Sequence, residues 1–177
     1  GLFYQAGIAV VITLSAVYAQ LVMKFTTAQT ITLILVVNIT AAIGAFVFGY
    51  VQDRLGHKKT LALTILLWII MGVMAAFSHG PVSFWIAANI AGIAMGSSQS
   101  AGRAVVAVFA PAGELAQFYS AWNVAVWGAN VLGPITYGTV TWLTSGDQRT
   151  AILVTTLFFV IGLLILRRVH LPSKTVC

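Results

Sequence analysis

Long apolar runs broken by short polar stretches fill this chain almost from end to end. A helix needs about 20 mostly apolar residues to cross a bilayer. Six stretches approach or exceed that length, at about 2–23, 31–51, 60–77, 82–109, 118–143 and 151–166. Membrane barrel strands would show alternating polarity in segments of about ten residues; these runs are continuous, so the pattern predicts helices. The breaks KFTTAQT, QDRLGHKK, SHGP, APAGELAQ and TSGDQR are short. They predict antiparallel neighbours in one domain over residues 1–177, an all-α integral membrane protein of six transmembrane helices.

Composition agrees. The chain is 60% hydrophobic and 7% charged, whereas a soluble domain carries about 25% charged residues. The net charge of +6 would suggest nucleic acid in a soluble protein, but here the basic residues lie between apolar runs. They read as topology signals, with a lipid bilayer and no nucleic acid as partner. If QDRLGHKK is cytoplasmic, that side holds Arg54, Lys58, Lys59, Arg103, Arg167, Arg168 and Lys174, and the other holds Lys24 and Arg149. The imbalance puts both termini of a multi-pass chain in the cytoplasm, and it fits a bacterial inner membrane and an organelle membrane equally. Cys177 stands alone, so neither a disulfide framework nor a cysteine metal site is expected in one copy. Gly1 opens almost directly into apolar sequence without a charged leader, unlike a secretory signal peptide, and reads as part of a longer or processed chain.

The break GYVQDRLGHKK (residues 49–59) concentrates chemistry. Gly49 permits close approach of a neighbouring helix, and Gly56 permits a tight turn with positive φ. Asp53 is suited to a helix N-terminus or to pairing with Arg54 or a lysine. His57, Lys58 and Lys59 face anionic headgroups, where each charge near the surface is worth about 1 kcal/mol.

A transporter must also offer polar groups near mid-membrane. Candidates for such a path are Gln5, Asn38, Gln99, Arg103, Asn123 and Asn130. Ala88, Gly92 and Gly96 form a small-residue face suited to close helix packing. Gln99 and Arg103, four apart, share a face. Arg103 has two readings: a gate or anion-facing group, or a side chain snorkelling to the headgroups. Asn123, Trp127 and Asn130 share a face of the fifth stretch, and the asparagines line a path or tie helices together. Gly133 and Pro134 follow, and a proline inside a span predicts a kink. Asp53, Glu114 and Asp147 fall in breaks, and His57, His79 and His170 fall in breaks or at helix ends. No proton-coupling residue is therefore visible. No HExxH, GxSxG or P-loop pattern occurs, so no enzyme, metal site or cofactor is expected.

The break resembles the loop signature of the major facilitator superfamily, G-x-x-x-D-R-x-G-R-K-x, between the second and third helices of a six-helix half. His57 stands where arginine is commoner. The rest of the chain resembles autophagy-type vacuole effluxer-like permeases through Gln99, Ser100 and Arg103, then Phe109, Ala110, Pro111 and Gly113. Phe118 and Tyr119, Leu132-Gly133-Pro134, and Gly146 with Arg149 continue the likeness. Gly102 replaces a serine of that pattern and Gln117 a common glutamate. The likeness covers about residues 3–169. It implies half of a major-facilitator-type transporter, without a cofactor, working with a second six-helix half on a small-molecule solute. That half is a separate chain, another copy, or a further part of the same parent chain. The likeness further implies that Gly133-Pro134 takes part in gating, and that Asp53 contacts the fifth helix of the other half. The expected function is secondary transport by alternating access. The alternative is a non-transporting subunit that uses the fold as a scaffold in a larger complex.

Overall fold

In a computed structural model of the chain, residues 2–111 and 113–168 are described, and nearly all of them are helical. The elements are α1 (Leu2–Leu21), α2 (Thr27–Leu55), α3 (His57–Ala76), α4 (Pro81–Phe109), α5 (Leu115–Leu143) and α6 (Gln148–Arg168). Lys174, His170 and Cys177 lie outside the described residues.

Several helices outrun the apolar stretches because their polar ends carry capping chemistry. α2 starts at Thr27 because Thr26 and Gln29 form a capping box. The Gln29 amide donates to Thr26 Oγ1 at 3.3 Å, and the Thr26 amide donates to Gln29 Oε1 at 2.9 Å. α4 begins with Pro81, where a missing amide proton costs nothing. α2, α3 and α6 are long and apolar enough to cross a membrane. α1 makes a fourth if its 48° bend, between Leu2–Thr13 and Ser15–Leu21, lies within one span. α4 and α5 are each 29 residues long, but polar positions dilute them: Ser97–Ser100 and Arg103 in α4, Asn123 and Asn130 in α5.

The packing order differs from the chain order. α2 packs chiefly on α4 and α1 on α5, while the chain neighbours α1 and α2 touch sparsely, as do α4 and α5. The short breaks had suggested antiparallel chain neighbours throughout; glycine contacts decide otherwise. A Cβ on Gly96 would run into the Ala41 carbonyl, and one on Gly44 into the backbone of Ile93. Lipid tails are as apolar as leucine, so close backbone approach rather than hydrophobic burial selects such a pair. α3 is held between α4 and α6. Its Trp68 is fully buried and stacks on Phe159 of α6 with centroids 5.2 Å apart. The same indole Nε1 donates to Ser98 Oγ of α4 at 3.3 Å.

Candidate functional site

The break between α2 and α3 is narrower than its sequence suggested. α2 stays helical through Asp53 and Arg54 to Leu55, and α3 starts at His57. The acid and the arginine therefore sit in the last turn of a helix rather than in a loop, and Gly56 alone forms the joint. Its φ of 80° is a left-handed-side conformation open to glycine. The Gly56 amide donates to the Gln52 carbonyl at 2.9 Å, and the Gly56 carbonyl accepts from Thr60 Oγ1 at 3.0 Å.

The motif side chains divide into two groups. Lys58 reaches across the bundle end and donates from Nζ to the Arg167 carbonyl oxygen, 3.1 Å away in the last turn of α6. His57 is half-buried, with Nδ1 enclosed and unpartnered. Asp53, Arg54 and Lys59 are exposed, and among the described residues Asp53 forms no hydrogen bond or ion pair. Gly49 has open space where a Cβ would be, so the close neighbour expected there is not one of the described helices.

The opposite end of the bundle carries a matching cation. Arg149, second residue of α6, donates from Nη2 to the Ser78 carbonyl at 2.8 Å and from Nη1 to the Ala76 carbonyl at 3.4 Å. Ala76 is the last residue of α3 and Ser78 lies two residues past it, at the end where a helix favours positive charge. Just ahead of α6, Asp147 is exposed and accepts from the Arg149 amide and the Thr150 hydroxyl. The Thr150 hydroxyl bond chiefly holds its carboxyl below the usual value.

The candidate path residues do not converge. Asn38 on α2 and Asn123 and Asn130 on α5 are exposed on outward faces. Asn38 donates to its own helix, to the Ile34 carbonyl at 2.8 Å. Gln99 is half-buried, and the Arg103 side chain is exposed six residues before the end of α4. Gln5 is buried instead, its Nε2 without a partner, beside the equally enclosed and unpartnered Tyr4 hydroxyl. Gly133 is a packing position: a Cβ there would collide with the Ala6 carbonyl of α1. α5 continues as one helix through Pro134.

Sequence reasoning missed several tertiary bonds that organise this bundle. Tyr18 donates to the Ala75 carbonyl at 2.9 Å, and Tyr137 pairs with Gln148. The core role of Trp68 was missed as well. Its mid-helix position in the run ILLWIIM, away from the helix ends where an interfacial tryptophan would sit, was the available signal for a core role. A cavity of about 230 Å³ opens chiefly among α1, α2, α3 and α4, with Tyr137 of α5 and Ile152 of α6 also in its wall, in the part of the bundle away from the Gly56 joint. Of the candidate path residues, Asn38 alone lines it. Among the described residues no cluster of histidine, cysteine or acids could hold a metal ion.

Comparison with known proteins gives this arrangement a family. Residues 2–176 match the family described as vacuole effluxer Atg22 like. The chain is 27% identical over 173 residues to the uncharacterized MFS-type transporter YxiO of Bacillus subtilis, covering 98% of this chain and 40% of that protein. It is 33% identical over 133 residues to a putative metabolite transport protein of Haemophilus influenzae, covering 73% of this chain and 32% of that one. It thus spans less than half the length of these curated relatives. Among solved structures, the inward open xylose transporter XylE from E. coli superposes with a TM-score of 0.79 at 20% identity, over 97% of this chain and 46% of that one. That likeness is one of fold, and it places the six helices within a transporter architecture. By sequence and by fold, the chain belongs to the Atg22-like vacuole effluxer family of MFS-type membrane transporters.

Proposed function

We propose that this chain supplies one six-span half of a secondary transporter, which moves a small solute across a membrane by alternating access against a second six-helix half. The observation that carries this reading is the polar character of two outward faces. Asn38 on α2 and Asn123 and Asn130 on α5 stand exposed among apolar neighbours such as Ile39, Val124 and Val131. Amide groups of this kind are costly against lipid and belong beside water, solute or a partner. At about 1.5 Å per residue, the 29 residues of α4 and of α5 suffice to span, their polar positions turned to the path. Open space at Gly49 and the unpartnered Asp53 supply a docking edge for the other half. The clustered bases Arg54, Lys58, Lys59, Arg167 and Arg168 support a cytoplasmic side for that edge.

The test is single-cysteine accessibility in a Cys177→Ser background. Cysteines at Asn38, Asn123 and Asn130 should react with a membrane-impermeant thiol reagent and change reactivity when solute is added. Uniform protection at all three, matching a cysteine at the outward-facing Leu66, would reject the transport path and favour a scaffold subunit.

A further inference from the structure

We infer that the cavity among α1, α2, α3 and α4 is a binding site for a small, uncharged, largely apolar molecule. As the substrate class of the proposed transporter, this rests on the transport reading for its biological meaning, and on the cavity alone for binding.

The argument is an accounting of donors. Six polar side chains capable of donating line the cavity: Ser15, Tyr18, Thr30, Asn38, Trp68 and Tyr137. Each directs a donor into the protein. Thr30 donates to the Thr26 carbonyl at 3.0 Å and Asn38 to the Ile34 carbonyl at 2.8 Å. Tyr18 donates to the Ala75 carbonyl, Trp68 to Ser98 Oγ and Tyr137 to Gln148 Oε1. Ser15 leans on the Ile12 carbonyl at 3.5 Å. No acid, base or histidine lines the space. Of these hydroxyl and N–H donors, just the second amide proton of Asn38, at the rim, is unspent.

An anion entering such a space would give up its water with almost no donor to replace it, and a polyol would find only the acceptor lone pairs of these few side chains. An apolar molecule loses nothing comparable, and a dry cavity of about 150 Å³ already admits benzene. At about 230 Å³ this one is larger, which suits a fused or substituted ring. Two of its lining residues, Ile12 on α1 and Ile34 on α2, are exposed, and those two helices touch sparsely.

The experiment photolabels the protein in native membranes with a small trifluoromethylphenyl diazirine, and peptide mass spectrometry reads Met71 and Met95 in the cavity and Leu66 on the outer face. Labelling of the methionines should saturate and fall to background with excess indole, but not with xylose or acetate. Labelling at Leu66 should do neither. Ala88→Phe on α4 and Val11→Phe on α1 fill the space from opposite walls. Each should cut saturable labelling by about tenfold while leaving Leu66 labelling intact, which shows the variant inserted and folded. Non-saturable labelling at the methionines, equal competition by xylose or acetate, or efficient labelling there by a photoreactive acyl-chain phospholipid would overturn the inference. Flux of labelled indole into proteoliposomes separates the two readings. Saturable labelling without flux keeps the site and removes the transport reading, whereas flux of other solutes without saturable labelling does the reverse.

Discussion

The Arg149 guanidinium lies 2.8 Å from the Ser78 carbonyl oxygen, two residues past α3, and also reaches the Ala76 carbonyl that ends the helix, so the first turn of α6 closes the C-terminal end of α3. At the other end Lys58, second residue of α3, closes the end of α6 through Arg167. The two antiparallel helices thus cap each other with one cation apiece. Hydrogen bonds to charged groups contribute about 1.5–3 kcal/mol, and Arg149→Ala should lose that amount in detergent unfolding. Arg149→Lys should recover only part of it, since one ammonium cannot reproduce the two-pronged contact. An unchanged melting temperature in Arg149→Ala would remove the clamp from the account.

Gly96 and Gly49 make opposite predictions. Gly96 abuts the Ala41 carbonyl, so Gly96→Val should separate α2 from α4 and cost about 1–3 kcal/mol as overpacking. Gly49 has open space, and Gly49→Ala should stabilise α2 by about 0.5–1 kcal/mol in this half taken alone. If a second half docks there, the same alanine should weaken its co-purification. Paired thermal melts and pull-downs of the two variants check both statements.

Trp68 joins α3 to α6 by stacking and to α4 by its indole N–H. Trp68→Ala should cost about 3–5 kcal/mol, as for other buried aromatics. Trp68→Phe should cost far less, because Ser98 keeps its own bond to the Met95 carbonyl at 3.2 Å. Similar losses in both variants, read by thermal unfolding, would show that the hydrogen bond outweighs the ring.

Asp147 supplies a prediction in acid. Its carboxyl is held below the ordinary value of 3.8, first by the Thr150 hydroxyl and then by the amides at the start of α6. A depressed carboxyl contributes stability above its unfolded value and loses it as pH falls through the folded one. Stability should therefore drop below about pH 3.8, and Asp147→Asn should flatten that part of the profile. A wild-type profile as flat as the variant's would dismiss the contact.

The helices were legible because long continuous apolar runs are local signals. Gly56 was legible as a turn, but not that it forms the whole joint. Lys58 and Arg149 were visible as charges on opposite sides, but the carbonyls they close lie 109 and 71 residues away. No pattern in a single sequence reports such pairs. Asp53 was misplaced in a loop because its charge resembles a helix stop, while α2 tolerates it in a last turn already outside the apolar stretch. The path asparagines were found as residue types. Their outward orientation, and the burial of Gln5, depended on which face of α1, α2 and α5 the glycine contacts turn inward.

The single residue between α2 and α3 has a mechanical consequence. Consecutive Cα atoms are held about 3.8 Å apart, so with Gly56 alone as joint the end of α2 cannot slide along α3. Any tilt imposed on α2 at its exposed edge becomes a crank on α3, and through Lys58 on the tail of α6. Gly56 thus fixes the point where α2 and α3 meet, and Lys58 ties that point to the end of α6.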